Sequence, residues 1–107
     1  MRYRLFIDDV RDPVASGWII ARTSGEAIAL LERLGCPSEI SFDHDLGGDD
    51  TAMAVVKRLI NLDLDARGGY IPQSFVFSVH SANPVGGHNI EGLLMQYLKV
   101  RAARCQD

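Results

Sequence analysis

The sequence predicts an α/β fold with an open, mainly parallel four-stranded sheet and three helices. Two observations carry this. Short apolar segments alternate with longer segments whose apolar residues recur at helical spacing, and turn residues punctuate each junction. Consecutive parallel strands need a long crossover, usually a helix, so the alternation predicts a parallel sheet with helices against its faces. At 107 residues the chain is long enough for one hydrophobic core and too short for two. Residues 1–107 are therefore expected to form one domain, and the sequence shows no repeat, linker or low-complexity stretch.

Tyr3-Arg-Leu-Phe-Ile7 reads as the first strand, ending at Asp8-Asp9, and Asp12-Pro13 with Ser16-Gly17 mark a loop. Trp18-Ile-Ile-Ala21 reads as the second strand. The link between them is barely long enough for an ordinary crossover, so parallel pairing is favoured but an antiparallel direction stays open. Thr23 with Glu26 is a capping-box pattern; Ala27, Leu30, Leu31 and Leu34 then keep the helical period until Gly35 stops it. Glu39 to Phe42 is a third strand ending at Asp43. The loop from His44 to Asp50 leads to Thr51 as the expected cap of a second helix, on which Ala52, Val55, Val56, Leu59 and Ile60 share a face. Gly68-Gly69 closes that helix. Phe75 to Val79 is apolar enough to predict a strand covered on both faces. Ile90, Leu93, Leu94, Tyr97 and Leu98 mark a last helix, with Asn89 its candidate cap.

Composition narrows the function classes. With 47% apolar and 23% charged residues the chain has the makings of a packed globule. The net charge of −3 gives no general attraction to duplex DNA. No apolar run approaches the roughly 20 residues that span a bilayer, and Arg-Tyr-Arg rather than a signal-type block follows Met1, so a cytoplasmic protein without membrane contact is expected. Cys36 and Cys105 have neither metal-binding spacing nor the number for a disulfide framework, and two free thiols are expected.

The acids are distributed unevenly. Of 14, seven (Asp8, Asp9, Asp12, Asp43, Asp45, Asp49 and Asp50) fall in two short segments, with Arg11 the only basic residue among them. In open parallel sheets ligands bind outside the carboxyl ends of the strands. Asp8 and Asp9 follow the first strand; Asp43, His44 and Asp45 follow the third; His80, Ser81 and Asn83 follow the fourth. Three remote segments are thus expected to converge. Any one of them alone is adequately explained as a solvated loop. Clustered carboxylates repel, and either raise one another's pKa or neutralise the charge with a divalent cation; an oxygen-rich set suits Mg²⁺ or Mn²⁺, which is the expected cofactor. Asp8, Asp9, Asp43 and Asp45 are the candidate ligands. His44 and His80 are candidate proton carriers near neutral pH, although either could be a hydrogen-bonded structural residue at a strand end. His88 is better explained as a helix-start residue. Ser81, Asn83 and Gly86-Gly87 precede a helix, where free N–H groups favour an anion, though Asn-Pro with Gly-Gly is also plain turn chemistry. Arg11 either clamps a phosphate oxygen or pairs with Asp12.

The motifs Leu-Phe-Ile-Asp8-Asp9-Val-Arg11-Asp-Pro13, Ser-Phe-Asp43-His44-Asp45-Leu-Gly47 and Val-His80-Ser81-Ala-Asn83-Pro84-Val-Gly86 resemble, in that order, the cyclic-phosphate processing receiver-like domains, whose fold is related to the response-regulator receivers. The resemblance runs from about residue 3 to the last helix and implies a receiver-like (flavodoxin-like) fold. It also implies a metal at Asp8 and Asp9, a role for Asp43 at the phosphate, and a phosphate contact from Ser81. The sequence departs from a receiver in that no fifth strand with its lysine follows His80, which disfavours a phosphorylation switch. His44, Asp45 and His80 suit a hydrolase instead.

The leading expectation is therefore a metal-dependent phosphoesterase acting on a cyclic phosphate of a nucleotide or RNA end. Asp8, Asp9, Asp43 and Asp45 would serve as metal ligands, and His80, His44 and Asp43 as catalytic groups. Arg11, Ser81 and Asn83 would bind the substrate phosphate. The alternative is a non-catalytic receiver-like module that binds a phospho-ligand or a protein. Phosphoryl transfer to Asp43 itself ranks last.

Overall fold

The computed structural model describes residues 2–105, although the side chain of Cys105 is not among the described groups. Four strands, β1 (Arg4–Ile7), β2 (Trp18–Ala21), β3 (Glu39–Phe42) and β4 (Val76–Val79), form one sheet in the order β2-β1-β3-β4. All three pairings are parallel, which settles the direction of β2. The helices are α1 (Ser24–Leu34), α2 (Met53–Asp65) and α3 (Pro84–Cys105). The expected α/β class, strand number and helix number are all observed.

The short link from β1 to β2 manages parallel pairing without a helix because arginines brace it. Arg22 donates from Nη1 to the carbonyls of Asp8 and Arg11 and pairs through Nη2 with Asp12, while Arg4 donates to the Ser16 carbonyl. At the turn into β2, Gly17 has φ +92°, a conformation that side chains rarely adopt. The remaining links, β2 to β3 through α1 and β3 to β4 through α2, progress in the same direction across the sheet. Right-handed crossovers therefore place α1 and α2 on the same face. α3 packs beside α2 and β4, and completes a single helical layer.

The core lies between that layer and one face of the sheet. Leu5, Ile7, Ala21, Ile40 and Phe42 from the strands are fully buried against Ala27, Leu31, Val55, Val56, Leu59, Ile90 and Leu94 from the helices. Side chains alternate along a strand, so the register sends Arg4, Trp18, Glu39 and Val76, and then Phe6, Ile20, Ser41 and Ser78, to the opposite face. No described helix covers that face. This corrects two expectations. The helices do not sandwich the sheet, and β4 is an edge strand with Val76 55% exposed rather than a strand buried on both sides. Apolar composition does not distinguish a central strand from an edge strand whose other face looks outward.

Helix α1 starts as expected, with the Thr23 hydroxyl accepting from Glu26 N and the Glu26 carboxylate accepting from Arg22 N. It ends where Gly35 (φ +84°) donates its N–H to Leu31 O. Thr51 does not cap α2. It forms an isolated antiparallel bridge with Asp45, Ala52 N donates to His44 O, and the helix begins without a side-chain cap. Nor does Asn89 cap the last helix, which starts about a turn and a half earlier at Pro84. The Asn83 side-chain oxygen accepts from Gly86 N, so Asn83 is the cap, and Pro84 occupies the first helical position, which its fixed φ suits.

One structural group was not read from the sequence. Asp63, fully buried, accepts from the N–H groups of Tyr70 and Ile71, the Tyr97 hydroxyl and the Arg101 guanidinium, which ties the end of α2 and the following loop to α3. Burial opposes its charge, but those four donors outweigh it and hold the carboxyl below its ordinary range. Cys36 is a buried free thiol, pushed up to about 12 chiefly by burial, and so inert. Among the described residues no helix is long and apolar enough to cross a membrane.

Candidate metal and phosphate site at the carboxyl edge of the sheet

The parallel register carries Asp8, Asp43 and His80 to adjacent positions just past β1, β3 and β4. Asp43 N donates to Ile7 O and His80 N donates to Phe42 O, so the ladder extends to the first residue of each loop. The three segments therefore converge, as the sequence predicts. Asp8, Asp9 and Asp43 each offer one carboxylate oxygen, and these oxygens lie within 4.8 Å of one another. Asp8 is fully buried and Asp43 nearly so, while Asp9 is partly exposed.

The two buried acids are pushed in opposite directions. Burial raises Asp8, but N–H donation from Arg11 and Val10, the hydrogen bond with His80 and the Arg11 charge more than compensate, leaving its carboxyl below the ordinary value. Asp43 is raised by burial and then by the neighbouring charge of Asp8, against which Arg11, His80 and the Ser81 hydroxyl work only in part. Such a set is electrostatically unsatisfied in the way that a hard divalent cation relieves. Three carboxylates without sulfur or imidazole among them also match the oxygen preference of Mg²⁺ and Mn²⁺.

Arg11 stands over this trio. Its Nε donates to Asp8 Oδ2 at 2.9 Å, Nη2 lies 3.7 Å from Asp43 Oδ2 and donates to the His80 carbonyl, and half of the side chain remains exposed. Pairing with Asp12, the other reading of Arg11, is not observed, because Arg22 holds that carboxylate. His80 lies flat on Phe6, with ring centroids 4.6 Å apart. Its Nε2 meets Asp8 Oδ2 at 3.0 Å and its Nδ1 meets Ser41 Oγ at 2.7 Å. With the proton on Nε2 donated to Asp8, Nδ1 accepts from Ser41, whose oxygen receives in turn from Ser78.

His44 and Asp45 form a separate pair. His44 Nδ1 bonds Asp45 Oδ1 at 2.9 Å, and Asn83 donates to the other oxygen of Asp45. Both bonds hold that exposed carboxyl below its usual range. Asp45, expected among the metal ligands, lies outside the grouped acids and instead orients an imidazole. The His44 ring rests on Gly86 of α3, and its Nε2 makes no hydrogen bond among the described residues. Ser81 accepts from Asn83 N while its hydroxyl serves Asp43, and a shallow cleft bordered by Ser81, Asn83, Gly87 and His88 opens beside them. The order of acids, imidazoles and hydroxyl along this edge is the order of the three sequence motifs. The sequence model of the cyclic-phosphate processing Receiver domain matches residues 3–96.

The chain belongs to that family. The receiver domain described here accordingly has the receiver-like α/β fold and a link to cyclic-phosphate processing. Neither curated proteins nor solved structures gave a significant match. Within the receiver domain, sequence reasoning missed Ser41 and Phe6 as the supports of His80. Their signal was the period of two along β1 and β3, which puts Phe6 and Ser41 on the same face as Asp8 and Asp43, the residues that follow their strands.

Proposed function

We propose that the domain is a metal-dependent phosphoesterase that opens a cyclic phosphate on a nucleotide or an RNA end. The observation that carries this reading is the meeting of Asp8, Asp9 and Asp43 within 4.8 Å, beside one guanidinium, one hydroxyl and the His80 imidazole. Asp8, Asp9 and Asp43 would hold Mg²⁺ or Mn²⁺, which polarises a phosphoryl oxygen and supports attack by water. Arg11, half-exposed and only loosely engaged with Asp43, is free to exchange that carboxylate for a phosphate oxygen through its forked donors. Ser81, which acts on Asp43, would contact the same phosphate, and Asn83, whose amide donates to Asp45, would steady it from the neighbouring cleft. Ring opening needs one proton removed from water and one delivered to the departing oxygen. His44 is prepared for such a transfer: Asp45 fixes its Nδ1 and leaves Nε2 available. His80 handles its proton at Nε2, shared with Asp8.

A second reading rests on a specific observation. Both ring nitrogens of His80 are engaged, which is also what a positioning residue for Asp8 looks like in a non-catalytic module that binds a phospho-ligand or a protein. Turnover separates the two. Purified domain with Mg²⁺ or Mn²⁺ is expected to open a member of a panel of 2′,3′- and 3′,5′-cyclic phosphates, and EDTA to abolish the reaction. His80→Ala is expected to lower kcat by about 10²–10⁴-fold, the usual contribution of a general acid or base. A panel left untouched sinks the phosphoesterase reading. Full activity in His80→Ala removes that residue from the chemistry.

A further inference from the structure

All-parallel sheets are almost always covered on both faces, and among the described residues no helix covers the second face of this one. Its open face consists of two rows, Trp18-Arg4-Glu39-Val76 and Ile20-Phe6-Ser41-Ser78, and the second row leads directly to Asp8, Asp43 and His80. We propose that this face is the base-binding platform of the substrate, so that the compound processed is a nucleotide or single-stranded RNA end whose base lies on the Phe6–Trp18 surface while its phosphate reaches Asp8, Asp43 and Arg11. The proposal rests on the phosphoesterase reading of the same edge and adds the part of the substrate that does not react.

Three features favour a nucleobase over a protein surface. The face carries two aromatic rings in edge-to-face contact at 5.9 Å, Phe6 on β1 and Trp18 on the edge strand β2; His80 already covers Phe6, so an incoming base stacks on Trp18, where it takes the place of the Arg4 guanidinium. It is also broken by polar groups: Glu39, Ser41 and Ser78 cross it, and the Arg4 guanidinium lies 4.6 Å from the Trp18 ring centre. The core of a protein interface is depleted in charge, whereas a base presents hydrogen-bonding edges around a flat apolar surface. Lastly, the platform is continuous with the phosphate site. Phe6 carries the His80 ring that touches Asp8, and the Trp18 ring stands 5.9 Å from Phe6, so a continuous row of rings links the acids to the platform.

Trp18 is the only tryptophan, so its emission reports directly on the platform. Titration of the full chain with adenosine 2′,3′-cyclic phosphate is expected to quench it saturably, while inorganic phosphate at the same concentrations leaves it unaltered. In turnover, Trp18→Ala is expected to lower the ratio of kcat/KM for the adenosine substrate over that for base-free glycerol cyclic phosphate about tenfold, the scale of one base–aromatic stack, and Trp18→Phe to restore most of it. Equal quenching by both titrants, or no quenching by the nucleotide, overturns the platform. So does a Trp18 emission that shifts with protein concentration as the mass doubles, because a second copy then covers the face. If wild-type domain opens neither substrate, the phosphoesterase reading fails on its own, and the titration still decides whether a base binds here.

Discussion

A Cβ added at Gly86 would lie 2.4 Å from Cγ of His44 and 2.5 Å from its Nδ1. The backbone does not oppose alanine there: Gly86 sits in the first turns of α3 with no positive φ, where alanine gains about 0.5–1 kcal/mol over glycine. The ring has to give way instead. Ordinary contact begins near 3.4 Å, so the imidazole must retreat by roughly 1 Å, and its bond to Asp45, 2.9 Å long, cannot follow unstrained. Overpacking of this kind costs about 1–3 kcal/mol, which the helix gain partly offsets, so Gly86→Ala is expected to lose at most about 2.5 kcal/mol of stability. A 1 Å displacement of a reacting group costs on the order of 10²-fold in rate. The assay is kcat/KM on a cyclic nucleotide alongside urea unfolding, with Gly92→Ala as the reference because nothing lies within 4 Å of its added Cβ. Gly92→Ala should gain stability and keep its rate. If Gly86→Ala behaves like Gly92→Ala in both measurements, the packing of His44 on α3 and its part in proton transfer are both wrong.

Saturating Mg²⁺ or Mn²⁺, at about 100 times Kd, should stabilise the wild-type domain by about 2.7 kcal/mol, roughly 10 °C or more in Tm, and Asp43→Asn should abolish that shift. In metal-free buffer the same variant should melt higher than wild type, because burial and the Asp8 charge disfavour the ionised Asp43; a lower melting point would refute that electrostatic account. Asp63→Ala should cost about 3–5 kcal/mol in urea unfolding, since it strands Arg101 and two backbone N–H groups, whereas near-neutral behaviour would mean the buried cluster is not formed. Asp8 and Asp63 titrate lower in the fold than in the unfolded chain, so their stabilisation is present above about pH 4 and lost as pH falls through the folded values. Circular dichroism melts from pH 6 to pH 2 should show the acid loss diminished in Asp63→Ala.

The sequence carries the shared edge of the three polar segments more completely than the placement of the helices, for physical reasons. Parallel strands end on one edge whatever their order, so the residues following Ile7, Phe42 and Val79 share that edge in every arrangement with that polarity, and the adjacency of β1, β3 and β4 brings them together. Which face the helices cover depends on strand order, and no local pattern encodes β2-β1-β3-β4. The bare face and the exposure of Val76 were therefore beyond reach. Asn83 as the cap of α3 was legible in hindsight, because Pro at the next position marks a first helical turn, but the apolar period begins only at Ile90 and drew the boundary inward. Asp45 was misplaced for a different reason. Adjacency to Asp43 in sequence says nothing of direction, and the bridge to Thr51 turns Asp45 toward His44 and Asn83.

The electrostatics of the edge also account for why Arg11 is there. With Asp8 held ionised and Asp43 pushed toward neutrality, one guanidinium over two buried carboxylates offsets part of the repulsion but not all of it. A divalent cation among the carboxylates would remove the need for Arg11 at Asp43, and the freed guanidinium then faces outward with an anion as its natural partner. Metal and phosphate should consequently bind with positive coupling, each strengthening the other by the same factor. Arg11→Met separates this from simple addition: it should leave the affinity for Mn²⁺ alone undiminished, because a competing cation has gone, while erasing the enhancement of Mn²⁺ binding by inorganic phosphate. Calorimetry in which Arg11→Met retains that enhancement would show that the guanidinium belongs to the fold rather than to the phosphate.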